Sequence, residues 1–417
     1  MRTVKEADIV VIGAGAAGLS LAWQLTRPRA AAHGHHPSVL LVEPPPGPVR
    51  TPARTWCFWE EPGGDWDELL TASWQRLLIR GRDGRSTTGD CPVPYKMLRS
   101  EDYTRALGER LRACPDVELV AGTVATVHDT PHGARVTGVD EQGEPFALRG
   151  RWVFDSRPPR RLPPARTTLL QHFRGWFVRT ESDCFDPAVA ELMDMRTQQP
   201  RRGLSFAYVL PMSAREALVE YTEFSETVLD RAGYEAALRH YTSSTRPLGP
   251  FTVTATEQGV IPMTDGRFPR RTGDSVFPVG AAAGATRPST GYTFTALQRQ
   301  TAAIAQAVRA GRTPLPPRPH SRRHRAMDAV LLRALATGGV EGAPFFEDLF
   351  RRNPLPRVLH FLDGRSTLRE EWNLGLRTPV GAMLASLISL PTVPSRAAAP
   401  PPGYTSARPA AAQEVKV

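Results

Sequence analysis

Hydrophobic positions fall into three textures along the chain. In the first, residues 7–25 read ADIVVIGAGAAGLSLAWQL: a solid apolar run at 9–12, a glycine-rich turn, then an apolar helix. An unbroken run of this kind predicts a strand buried on both faces, as in a parallel sheet. A second run, VLLVE, ends at Glu43, and a proline-rich loop (44–52) leads to RTWCFWE at 54–60. YKMLRSEDYTRALGERL predicts a strand end and a helix, with Ser100 as its cap and Glu101 and Asp102 in the first turn. Short strands with turns at HDTPHG and DEQGEP follow over 117–149, and RWVFDSRP at 151–158 is another buried strand.

Residues 161–254 alternate as strands without intervening helices, and FAYVLPM (206–212) and ALVEYTEF (217–224), joined by SARE, predict a hairpin. Residues 275–310 return to the first texture: the strand SVFPVG, a glycine-rich turn, and the helix TALQRQTAAIAQAVRAG. Beyond 312 the period is helical. Met327, Val330, Leu331, Ala334 and Leu335 share one face, and Gly338-Gly339 ends that helix. PFFEDLFRRNP and PRVLHFLDG predict two short helices. VGAMLASLISL (380–390) is too short to span a bilayer and reads as a core helix in preference to a membrane-surface contact. The expected fold is α/β: a Rossmann-type FAD-binding domain from 1–160 and 255–312, a strand-rich substrate domain over 161–254, a helical C-terminal region over 313–394, and a disordered Ala/Pro-rich tail over 395–417.

Composition changes the picture in one respect. Of 417 residues, 52 are Lys or Arg and 42 Asp or Glu, but the lysines are only Lys5, Lys96 and Lys416, so the excess is arginine. Between Arg312 and Arg377 twelve arginines face seven acids, a net of +5 and half of the surplus. No nucleic-acid motif accompanies it, so nucleic acid is not the expected partner; the arginines read either as a face toward an anionic membrane surface or as a plain solvated face. The four cysteines are scattered, with no pattern for a disulfide framework or a metal. With a strand beginning near Asp8 and no long apolar stretch, the expectation is a cytoplasmic protein that lies peripherally on a membrane.

The first chemistry is a dinucleotide. Gly13, Gly15 and Gly18 form GxGxxG between a strand and a helix, with Glu43 at the end of the next strand, 25 residues after Gly18. In this context Gly13 permits the turn, Gly15 the approach of a pyrophosphate, and Gly18 close helix packing; Ala16 and Ala17 lie in the first helical turn, whose N–H groups face the phosphates. Glu43 can accept from a ribose 2′-hydroxyl. The fingerprint alone does not separate FAD from NAD. The return of the first texture at 275–310 points to FAD in an extended pose, with VGAAAGATRPSTGYTF (279–294) meeting the ribityl chain and flavin through Gly280, Gly284, Gly291, Tyr292 and Thr293 and a helix starting near 289–291.

The second chemistry lies in LVEYTEFS, 218–225. Alternation puts Glu220 with Leu218, Thr222 and Phe224, and Glu223 with Val219 and Tyr221. Both faces are apolar, so spacing alone leaves the two equal, with at least one expected to face solvent. Trp56, Phe58 and Trp59 are aromatic faces that could attract a cation, or simply core. His172 reads as a satisfied strand histidine, the cluster at 33–36 as a solvated loop, Asp155 as a turn organiser, and Arg99 as a surface ion pair or a cofactor contact.

Several segments resemble the bacterial lycopene β-cyclases: DIVVIGAGAAGLSLA, RTWCFWE, FDSRP, FAYVLPMSAREALVEYTEFS, GVIPMTDG, GAAAGATRPSTGYTF and NPLPRVLHFLDG, in the family's order from residue 8 to about 364. Ala281 after Gly280 fits that family, whereas flavin hydroxylases carry aspartate there. The resemblance implies cyclisation of the ends of lycopene into β-rings, through γ-carotene to β-carotene, an intramolecular isomerisation without net redox change. It implies FAD in its reduced form, kept reduced by NADPH or NADH, and contact with other carotenoid-pathway enzymes. On the family's pattern Glu220 is the acid–base residue, with Trp56, Trp59, Thr222 and Phe224 near the substrate. The rival expectations are a flavin monooxygenase or polyprenyl reductase on the same scaffold, and a carotenoid- or membrane-binding flavoprotein without activity.

Overall fold

The computed structural model describes residues 4–27, 36–47, 49–399 and 401. The cluster at 33–36 lies outside them except for His36. In chain order the first half comprises β1 (Lys5–Ile12), α1 (Ala16–Thr26), β2 (Val39–Glu43), β3 (Thr55–Trp59), β4 (Ala72–Arg80), β5 (Ser86–Arg99), α2 (Ser100–Arg112), β6 (Val117–Thr130), β7 (Gly133–Asp140) and β8 (Pro145–Asp155). Then come β9 (Thr168–Thr180), β10 (Val189–Asp194), β11 (Leu204–Pro211), β12 (Glu216–Ser225), α3 (Arg231–His240), β13 (Phe251–Thr264), β14 (Val276–Pro278) and α4 (Phe294–Arg309). The helical end comprises α5 (Arg322–Thr337), α6 (Gly342–Arg352), α7 (Leu355–Leu362), α8 (Leu368–Gly375) and α9 (Val380–Ser389).

Two sheets organise the protein. In the first, β6, β2, β1, β8 and β14 run parallel, and β7 bridges the long β6 and β8 antiparallel. The apolar runs at 9–12 and 39–42 are buried on both faces, between α1 and α2 on one side and the β7 layer on the other. That is why they carry no polar alternation. The second sheet has eight strands in the order β13-β9-β12-β11-β10-β4-β5-β3, antiparallel except for β10 on β4. One face packs on α5, α6 and α7, the other on α3.

Several expectations are corrected. Residues 55–99, assigned with the first sheet, supply three strands to the second, and β13 (251–264) forms its far edge. The helix at 100–112 is capped by Arg99, and the Ser100 hydroxyl accepts the Arg54 amide at 2.7 Å instead. α4 starts at Phe294, three to five residues after the expected 289–291, because 287–292 close a turn of their own. α9 is not a core helix: among its residues only Ser386 is buried, and it touches α5 through Ala382 and Met383 while Leu384, Leu387 and Ile388 stand exposed. The start of the supposedly disordered tail is ordered, since Arg396 bridges Ala165 and the Leu162 amide donates to the Ala398 carbonyl; residue 400 and those from 402 on lie outside the described residues.

Candidate active site

The glycine-rich start of α1 is built to receive an anion. Its first-turn N–H groups have no capping side chain, and a Cβ on Gly15 would meet nothing within 4 Å. At Gly18 the opposite holds: a Cβ would fall 1.8 Å from the Gly13 carbonyl oxygen, so only glycine lets α1 approach β1. Ala17 is buried, and Ala16 packs against Ala285, Ala296 and Leu297. Gly13 sits beside β2, its amide donating to the Val42 carbonyl at 2.8 Å, which brings Glu43 next to the turn. Glu43 is half-buried, which raises its carboxyl, while Arg50 at 2.9 Å pulls it back down. The Arg50 pair was not foreseen.

The second glycine-rich segment meets the first. Gly280 has φ 64°, and a Cβ there would lie 2.6 Å from that of Ala17, so the two turns sit back to back. A 3₁₀ turn (Gly280–Ala283) ends in left-handed Gly284. The Arg287 amide donates to the Tyr292 carbonyl at 2.9 Å, and Thr293 caps α4. This loop is pinned to the helical layer. Arg287, almost wholly buried, and the Ser289 hydroxyl both donate to Asp328 of α5, at 3.2 and 2.6 Å, and Arg287 also donates to the Phe361 carbonyl. Two clefts flank the loop, the first lined by Ala281, Gly284 and Pro288, the second by Trp59, Tyr292 and Thr293. Gly291 lies against Gln171, whose buried Oε1 has no partner. Open space over Gly15, unpartnered donors and an orphaned amide oxygen at Gly291 together fit an extended dinucleotide.

Glu220 lies on the face of β12 that alternation assigned it, with Leu218 and Phe224 in the core beneath the helical layer. Glu223 takes the other face, but neither glutamate faces solvent. Glu223 is satisfied by the Tyr221 hydroxyl at 2.9 Å, and His172 by Tyr234 and Ser225 at 2.7 and 2.9 Å, all on the α3 side. Burial pushes His172 down to about 4, a neutral core histidine. Asp155 organises its turn through Arg157, and Arg99 stacks over Phe177 besides pairing with Glu101.

Glu220 has a partner that the sequence reading missed. Gly175 of β9 stands in register with Glu220 on one side and Glu257 of β13 on the other. Lacking a side chain, it lets the two carboxyls meet above it: a Cβ on Gly175 would be 3.2 Å from Glu257 Cγ and 3.5 Å from Glu220 Cβ. The two carboxyls face each other across Gly175; Thr222 donates to Glu220 at 2.9 Å, and Thr55 of β3 donates to Glu257 at 2.8 Å. Burial, then the neighbouring carboxyl, drives Glu220 well above the usual carboxylate range. TEQGVIPM has the same texture as LVEYTEFS, an acid in an apolar strand, which is the signal that could have flagged Glu257.

A polar seam links the pair to the loop. Tyr208 lies opposite Glu220 on β11, and Tyr292 and Tyr95 lie beside it. Cys57 lies between this seam and the carboxyls, its thiol raised by burial. Trp59 shares the Cys57 face and packs on Tyr95 and Tyr292, its buried Nε1 without a partner. Trp56 does not: with Phe58 it faces the other way, stacked on Phe294 in the first core, because successive strand residues alternate.

A sequence model of the family described as lycopene cyclase protein matches residues 8–388. The chain belongs to the lycopene cyclase family. Among curated proteins none matches the sequence. Solved structures show the fold that this lycopene cyclase family member shares. A geranylgeranyl bacteriochlorophyll reductase-like protein of Thermoplasma acidophilum, 13% identical, aligns over 93% of this chain and 100% of its own at a TM-score of 0.67. The p-nitrophenol 4-monooxygenase PnpA of Pseudomonas putida, 15% identical, aligns over 95% and 100% at 0.56. The flavin-dependent brominase Bmp2, 13% identical, aligns over 86% and 94% at 0.59. Family membership and this fold make the chain a carotenoid-cyclase-type enzyme.

Proposed function

We propose that this chain is a lycopene β-cyclase in which Glu220 is the acid that starts ring closure. The observation that carries the reading is the buried carboxyl pair on an apolar face, one tyrosine away from the glycine-rich loop. A carboxyl with an ordinary pKa near 4.3 would be protonated in only roughly one molecule in 500 at pH 7, and each unit of rise multiplies that fraction by about ten. Protonation of a terminal double bond leaves a tertiary cation; the next double bond closes the ring through a new carbon–carbon bond, and loss of a ring proton restores a double bond. Atoms and electrons balance without an oxidant. FAD fits the two glycine-rich turns, held by the first turn of α1, by Glu43 and by 280–293; reduced by NADPH or NADH, it would supply negative charge beside the cation. Trp59 and the tyrosine seam exclude water.

The substrate is a long hydrocarbon, so it must come from a bilayer. Leu368 and Trp372 of α8, Leu376 at its C-cap, and Val380, Leu384, Leu387 and Ile388 of α9 are exposed apolar side chains, with Arg369 and Arg377 near them in sequence. No single described helix is long and apolar enough to cross a membrane, and α8 and α9 bend by 110° between them. An anionic bilayer is the occupant whose chemistry suits both the apolar side chains and the arginines.

The test incubates the purified protein with lycopene-loaded anionic liposomes, FAD and NADPH without oxygen and analyses the pigments by chromatography and mass spectrometry. A β-ringed product of unchanged mass is expected, absent with Glu220→Gln while bound flavin is retained. Unchanged lycopene with steady NADPH consumption would instead point to a reductase or monooxygenase, and product formation by Glu220→Gln would remove Glu220 from the chemistry.

A further inference from the structure

The Glu220–Glu257 contact has only one chemical solution. Two buried carboxylates flanking one glycine repel each other too strongly for both to be ionised, so one of the two must hold a proton. Donors decide which. Glu257 receives the Thr55 hydroxyl and the Thr55 amide and lies near the Arg99 guanidinium. Glu220 receives the Thr222 hydroxyl alone besides its partner. The charge therefore settles on Glu257 and the proton on Glu220. We propose that Glu257 is a positioning residue that holds the reactive proton on Glu220, its carboxylate accepting across Gly175 the hydrogen bond that only a protonated Glu220 can give.

The inference rests on the cyclase reading and deepens it. Once Glu220 has given its proton to the substrate, two carboxylates share one buried site, which drives recapture of the proton lost from the ring. One proton is thus delivered and one returned, and the pair ends as it began. The other groups facing Glu220 leave this assignment intact. Tyr208 from β11, Cys57 from β3 and Tyr95 and Tyr292 beyond it are all pushed up by burial and stay neutral. β9 presents only Gly175 at this level, and Tyr234 of α3, also raised, lies beyond the sheet on the Glu223 side.

Two measurements test this. In the first, the carboxylic-acid C=O band of the full chain is titrated by infrared spectroscopy, with neither flavin nor lycopene. A protonated band present at pH 7, lost in Glu220→Gln, and titrating at a pH lower by roughly one unit or more in Glu257→Gln is expected. In the second, the pH profile of cyclisation in the liposome assay should lose its neutral range in Glu257→Gln and recover in acid. Gly175→Ala, whose methyl enters between the two side chains, should shift both readouts in the same direction. A uniform fall in rate at every pH, an unchanged profile, or the absence of a protonated band in the folded parent would overturn the proposal. If the parent protein forms no ringed product, the cyclase reading fails on its own while the infrared titration still decides the carboxyl pair.

Discussion

Replacing Trp372 and Ile388 by serine should cut membrane binding sharply while leaving the fold untouched. The two side chains are 71% and 67% exposed, on α8 and α9 respectively. An aromatic side chain buries about 200 Å², and apolar area is worth about 25 cal/mol per Å², so covering the exposed part of Trp372 is worth about 3.5 kcal/mol and that of Ile388 about 1.5 kcal/mol. A helix at the headgroup boundary is covered on one side, which retains about half of this, or about 2–3 kcal/mol. That corresponds to a loss of roughly 30–150-fold in partitioning. Flotation with liposomes of phosphatidylglycerol and phosphatidylcholine at several lipid concentrations reads it directly. Val139→Ser, equally apolar, 42% exposed and on the other sheet, is the control that should bind as the parent does. Parent-like flotation of the double variant, with thermal unfolding also unchanged, would refute the assignment of this face.

Other consequences are as specific. Gly15→Val should fold, since the position is open, yet lose flavin, read from the absorbance of the purified protein. Asp328→Ala strands the buried Arg287 charge and should destabilise by about 3–5 kcal/mol, lowering the midpoint of thermal unfolding; Leu331→Ala, a cavity one turn away, should cost about 2–5 kcal/mol but keep the loop pinned and flavin bound. His172 is neutral when folded down to about pH 4, whereas the unfolded chain takes a proton below about 6.5. Its contribution is therefore constant above 6.5, and stability falls by about 1.36 kcal/mol per pH unit between 6.5 and 4. His172→Gln should flatten that limb in denaturant titrations at a series of pH values.

What was legible in the chain follows from the range of the forces involved. The dinucleotide turn, the 206–224 hairpin and the face of Glu220 are local: each depends on a few neighbours and on a periodicity of two. Trp56 was separable from Trp59 by the same parity, had it been applied to β3. Glu257 could be flagged as an acid in an apolar strand, but its pairing with Glu220 could not, because that depends on a register spanning three strands and a missing side chain at Gly175. The sheet membership of β3, β4 and β5 is likewise a long-range outcome, since an apolar strand suits either layer. For 380–390 the length argument excludes a span but is silent on which surface covers the helix, and the core reading took the commoner answer.

The pinning of the loop by Asp328 has a bearing on any attempt to recombine this enzyme with others of its fold. α9 rests on α5, and α5 carries the aspartate that anchors Arg287. A splice ahead of α5 would transplant the exposed apolar side chains of α8 and α9 and, in the same cut, remove the aspartate that anchors the second glycine-rich loop. The crossover that keeps Asp328 lies after Thr337, where Gly338 ends the helix in a left-handed turn, but the graft must then supply α6 and α7, including the Phe361 carbonyl that Arg287 also uses.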